Sequence, residues 1–143
     1  ANEENRFILD TLGIGVWKYN PIENTIHWDK SMLSLYGLDP DDSCNSYHDW
    51  LAFVSENTRQ SVDRELQRAL RGEKEFNTTF QIKMKDGVSR HIGARAKVAW
   101  NEAGQPLVMY GINWDRTKEV ELEQKFEQER AKAMHSSKLA SIG

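Results

Sequence analysis

The chain has 143 residues, a formal net charge of −3, 29% charged and 10% aromatic residues, and a mean hydropathy of −0.72. That length suits one domain, and 31 Leu, Ile, Val and Phe residues stand just above the composition at which a core fails to form. The near-neutral balance leaves no basic footprint for nucleic acid. No apolar run approaches the roughly 18 residues of a membrane span, and the lone Cys44 excludes an internal disulfide and fits a reducing, cytoplasmic setting.

Residues 2–12 read as a flanking helix, with Asn2 as cap, Glu3 and Glu4 in the first turn, and Phe7, Ile8 and Leu12 on one face. Gly13 and Gly15 break it into an alternating strand, Val16 to Tyr19. A turn from Asn20 to Asn24 leads to a second strand, Thr25 to Trp28. Asp29 is placed to cap a short helix bearing Met32, Leu33 and Tyr36, with Gly37 as its stop. After the polar stretch Asp39–Ser46, Trp50, Leu51 and Phe53 form an apolar anchor. A full helix from Ser55 to Arg71 then carries Val62, Leu66 and Leu70 at four-residue spacing and ends at Gly72.

The last third alternates as strands. Phe76, Thr78, Phe80 and Ile82 come first, then Asp86-Gly87 as a hairpin turn in which both residues tolerate positive φ, then Ile92, Ala94, Ala96, Val98 and Trp100. A turn at Asn101–Gln105 precedes a final strand, Leu107–Asp115. The order is β-β-α-(α)-α-β-β-β with a helix at each end. It implies an α+β domain with an antiparallel sheet and helices gathered on one face.

Charge divides the chain. Eleven of the last 28 residues are charged, against 30 of the first 115. The stretch from 117 has mixed signs, no Pro and no Gly before 143, and reads as a solvated helix or coiled coil. The expected organisation is a flanking helix over 1–12, a core over 13–116 and an exit helix over 117–143. A start at Ala1 and a stop at Gly143, just as apolar residues return, look like cuts through a longer protein.

Four landmarks carry a family resemblance: Trp28-Asp29-Lys30-Ser31 with Leu35-Tyr36-Gly37; Trp50-Leu51-Ala52-Phe53-Val54; the Phe76–Gly87 hairpin segment; and Tyr110-Gly111-Ile112-Asn113-Trp114-Asp115-Arg116-Thr117. In this order they resemble a PAS domain. Ser55-Glu56-Asn57-Thr58 departs from the family's His-Pro-x-Asp, and Arg116 stands where an apolar residue is commoner. The resemblance implies a five-stranded antiparallel sheet of order 2-1-5-4-3. It also implies a non-catalytic sensory or relay module of a two-component sensor histidine kinase, homodimeric through its flanking helices. Lys138 to Gly143 is similar to the lead-in of a kinase dimerisation helix, which would put the kinase domains downstream in the same chain. The alternatives are a core that binds a metabolite or cofactor as its input, and a different output such as a diguanylate cyclase.

The candidate signal-transfer residues are Asp115 and Thr117. Asp115 ends a strand, and the Thr117 hydroxyl can accept an amide hydrogen bond in the first turn of the exit helix; an ordinary helix cap would look the same. A seam through Leu122, Phe126, Glu129, Ala133, Ser136 and Ala140 is poor for a dry coiled coil but suits a helix poised between registers; a single helix folded back on the domain is the other reading. The candidate pocket is lined by the rings of Trp17, Trp28, Tyr36, Trp50, Phe53 and Phe80, together with Met32, Met109, Ala94 and Ala96. The small Ala94 and Ala96 leave either a ligand cavity or the seat of a close-packed helix. No catalytic motif or metal spacing is present among the four histidines. Cys44 lies outside the motif that a flavin photoadduct needs, and the long helix lacks the histidine of haem-binding relatives, His48 lying just upstream. Neither cofactor is expected.

Overall fold

The computed structural model describes residues 3–142, with side chains through Ala140. Asn2, read as the first cap, and Gly143 lie outside the described residues. In chain order come α1 (Glu3–Thr11), β1 (Gly15–Asn20), β2 (Thr25–Trp28), α2 (Lys30–Leu35), α3 (Tyr47–Phe53) and α4 (Glu56–Leu70), followed by β3 (Phe76–Lys83), β4 (Ser89–Trp100), β5 (Pro106–Asp115) and α5 (Thr117–Ile142). The strands form one antiparallel sheet of order β2-β1-β5-β4-β3. This is the expected α+β architecture, and the bracketed helix is α3.

Local chemistry sets the boundaries. Asn20 Oδ1 accepts from the Ile22 and Glu23 amides, and Asn24 turns the chain at φ 56°, a conformation asparagine tolerates. Asp29 Oδ1 accepts from the Met32 amide at 2.9 Å and so caps α2; Ser46 caps α3 by accepting from the Asp49 amide. The β3–β4 turn differs from the expected tight Asp-Gly hairpin. It spans 84–88, only Gly87 has positive φ, and Asp86 instead accepts the Val88 amide on its carboxylate. Five residues suffice because Met84 and Val88 close the loop through a backbone hydrogen bond of 2.9 Å.

One face of the sheet is covered by α2, α3 and α4. Trp17 and Tyr19 of β1, Phe76, Phe80 and Ile82 of β3, Ile92, Ala94 and Ala96 of β4, and Met109 of β5 are buried there against Met32, Tyr36, Trp50, Val62 and Leu66. Two glycines allow close approach, one between a helix and the sheet and one between neighbouring strands. A Cβ on Gly15 would stand 2.5 Å from Met32 Sδ, so α2 rests directly on β1; one on Gly111 would stand 2.2 Å from the Arg95 carbonyl oxygen.

The flanking helices behave differently from the core. α1 touches the domain through polar contacts, Arg6 to Asp29 at 2.9 Å and Ser31 Oγ to Asp10 at 3.0 Å, while Phe7, Ile8 and Leu12 face outward. α5 leaves the sheet and is exposed from Glu121 through Ala140, which excludes the folded-back reading over those residues. No helix among the described residues is long and apolar enough to cross a membrane.

Candidate functional site

Two features of the fold could carry a signal: an aromatic cavity under the sheet and the β5–α5 junction. The cavity exists because β1 and β3 turn alternate aromatic residues inward while β4 opposes them with Ala94. Its walls include Trp17, Trp28, Met32, Trp50, Phe80 and Ala94, six of the ten expected residues. The other four are placed otherwise. Tyr36 and Phe53 form the next ring layer, with centroids 4.5 and 5.9 Å from that of Trp28; Ala96 and Met109 pack in the sheet's core layer. The alternation and helix spacing missed Tyr19, Ile26, Tyr47, Leu66, Phe76 and Asn113, which also line it. Tyr19 and Phe76 were legible as phase partners of Trp17 and Phe80; Asn113 was legible as the polar break in an apolar strand.

The remaining void is about 20 Å³, room for about one water molecule. The chain's own rings fill the rest, packed edge-to-face or tilted, as in Trp17–Phe76 at 6.5 Å and Trp50–Phe80 at 5.5 Å. A buried polar relay crosses this layer. Trp50 Nε1 donates to Tyr36 Oη at 3.1 Å, and Tyr36 donates to Asn113 Oδ1 at 2.8 Å. Through Tyr36, the residue that follows α2, the relay ties α3 to the end of α2 and that end to β5, two residues before Asp115. Burial holds the Tyr36 phenol far above its ordinary pKa, so it remains a donor. Trp17 Nε1 is buried with no acceptor.

Neither side chain weighed for cofactor chemistry lines the cavity. His48 is exposed on α3. The Cys44 thiol is buried, makes a long contact of 3.8 Å to the Ser46 carbonyl, and is pushed up to about 12 by burial. Tyr47 donates a short hydrogen bond to Asp63, and burial likewise raises its pKa.

At the junction, Asp115 and Thr117 meet through the backbone. Asp115 Oδ1 accepts from the Thr117 amide at 2.8 Å, and Thr117 Oγ1 accepts from the His91 amide at 3.0 Å. The Arg116 amide donates to the His91 carbonyl at 2.7 Å. The threonine therefore bonds to β4 rather than to the first turn of its own helix, as the cap reading had it. Arg90 stands behind: it donates to the Leu35 carbonyl at the end of α2 at 2.7 Å, and its Nε lies 3.7 Å from Asp115. The end of α2, the start of β4 and the root of α5 are thus joined through three side chains.

Comparison with known proteins follows the same lines. The family model described as a PAS fold matches residues 25–113. Over 131 residues the chain is 34% identical to a protein described as a probable diguanylate cyclase, DgcE, of Escherichia coli (strain K12); the match takes in 92% of this chain and 12% of that protein. Among solved structures, a sensory box histidine kinase/response regulator from Burkholderia thailandensis E264 superposes with a TM-score of 0.82 at 19% identity, over 93% of this chain and 99% of that one. The N-terminal domain of a diguanylate cyclase with PAS/PAC sensor from Marinobacter aquaeolei gives 0.66 at 18%, over 74% and 97%.

Proposed function

The chain belongs to the PAS family, and from that premise we propose that it relays a signal from its core to a signalling enzyme through Asp115 and Thr117. The observation that carries the reading is the Thr117–His91 bond. It attaches a 26-residue helix to the sheet at one end, so a shift in β4 or β5 changes the helix's exit direction. Input enters at the aromatic layer, where the Trp50–Tyr36–Asn113 relay already reaches β5. A ligand there would have to displace rings and could satisfy Trp17 Nε1. Native mass spectrometry and absorbance from 350 to 500 nm on the purified protein test for one, and a colourless, ligand-free protein removes the bound-cofactor version.

The output helix works as a homodimer with α1. Phe7 and Ile8 on α1, Leu12 just after it, and Leu122 and Phe126 on α5 are large apolar side chains exposed by half or more, and a second copy is the simplest cover for them. We place a histidine kinase downstream, supported by the Lys138–Gly143 lead-in. The second reading, a diguanylate cyclase, is favoured by the 34% identity to DgcE, although this chain spans about an eighth of that protein's length. Assaying the full-length protein with ATP for autophosphorylation and with GTP for cyclic dinucleotide separates the two, and dinucleotide formation without phosphorylation overturns the first.

A further inference from the structure

Arg116 lies between the two junction residues, and its side chain does something that neither of them does. Nε donates to Glu119 at 2.9 Å, one Nη to Glu123 at 2.9 Å, and the other Nη to Thr79 Oγ1 at 2.7 Å. Glu119 and Glu123 occupy the first two turns of α5, whereas Thr79 is on β3, the edge strand at the far side of β4. To reach it the arginine must cross β4 on the outer face of the sheet. The strand is bare at that point: Gly93 pairs with Thr79 on one side and Trp114 on the other. A Cβ on Gly93 would stand 2.5 Å from the Trp114 ring and 2.9 Å from Arg116 Cδ, so both side chains lie directly on the glycine backbone. Gly93 has no positive φ, hence its lack of a side chain is needed for the crossing rather than for the backbone.

We propose that Arg116 is a positioning residue for the output helix: a three-point clamp, seated over Gly93, that locks the first two turns of α5 to edge strand β3 and so sets the angle at which the helix leaves the domain. A planar guanidinium can hold three partners in fixed directions, and lysine cannot. The clamp also brings β3, which is remote from the Asp115–Thr117 bonds, into the same linkage. The inference rests on the reading of that junction as the signal route.

The test is a pulsed electron–electron distance measurement on this chain. Spin labels are placed at Asn77→Cys on β3 and Lys125→Cys on α5, in a Cys44→Ala background diluted with unlabelled protein. The unsubstituted clamp gives one narrow distance. In Arg116→Met the population outside that peak rises roughly tenfold, the combined worth of two exposed ion pairs and a charge-assisted hydrogen bond. Thr79→Val, an isosteric change on the surface, leaves both glutamate pairs intact and raises that population about threefold or more. Arg116→Lys broadens the distribution as well. A distribution as narrow in Thr79→Val as in the parent overturns the clamp, because the arginine would then be serving its own helix alone. Broadening in both variants, with full-length output unchanged, keeps the clamp and removes the signal route it was read to serve.

Discussion

Replacing Tyr36 by Phe removes one oxygen from the middle of the relay and leaves two partners behind. Trp50 Nε1 loses its acceptor and Asn113 Oδ1 its donor, in a layer where Tyr36 is 1% and Asn113 3% exposed. An orphaned buried polar group costs about 1–3 kcal/mol. Asn113 retains its Nδ2 bond to the Ile112 carbonyl, so its loss sits at the low end. Together the two groups predict a destabilisation of about 2–3 kcal/mol, with a fall in melting temperature on the order of 8–12 °C for a core of this size. Urea unfolding followed by tryptophan fluorescence and far-ultraviolet circular dichroism measures it, with an unchanged m-value showing that only stability moved. Replacing Asn113 by Leu in addition should recover part of the loss, since one orphan disappears. A Tyr36→Phe protein within about 0.5 kcal/mol of the parent would refute the relay as a structural element.

Three further outcomes follow from the packing and the titrating groups. Gly15→Ala and Gly111→Ala both overpack the core at about 1–3 kcal/mol or more, but Gly111→Ala is the worse, because its new methyl meets a carbonyl oxygen whereas that of Gly15 first meets the flexible end of Met32; equal melting temperatures would contradict this ranking. The Cys44 thiol ionises at about 12 when folded, against an ordinary 9.0, so the unfolded chain sheds that proton first and stability falls as pH rises above 9. The slope is at most about 1.4 kcal/mol per pH unit for one group. Cys44→Ala should flatten the pH 9–10 region, and native protein at pH 8 should resist thiol reagents. Phe126→Asp should raise the dimer dissociation constant at least about tenfold in sedimentation equilibrium, since a charge is placed on an apolar contact; a parent that is monomeric at all concentrations removes the dimer.

Much of this fold was legible because period-2 and period-3.6 patterns are clear in short, well-punctuated elements. The alternation of Val16 to Tyr19 announced β1, and Asp29 and Gly37 bracketed α2. The cavity was harder. Which aromatic residues share one layer depends on how far α2 and α3 advance over the sheet, and the Gly15–Met32 contact that sets this is a long-range fact without a local signature. Phe53 and Tyr36 therefore fell one layer behind the residues they were grouped with. Thr117 was recognisable as a helix-start residue, but its partner is the His91 amide, 26 positions away, and only strand register reveals it. Gly93 carried no signal at all, since an extended glycine in a strand looks like a weakness until Trp114 and Arg116 are seen lying across it.

The central claim is that the sheet governs the output enzyme through the Thr117 bond to β4. Comparing the basal output of the full-length protein in three forms tests it without knowledge of the stimulus: parent, Thr117→Ala, and a deletion of residues 3–116. The account predicts that Thr117→Ala, folded and with a circular dichroism spectrum like that of the parent, moves output to the level of the deletion. Parent-like output in Thr117→Ala, alongside a changed output in the deletion, would contradict it.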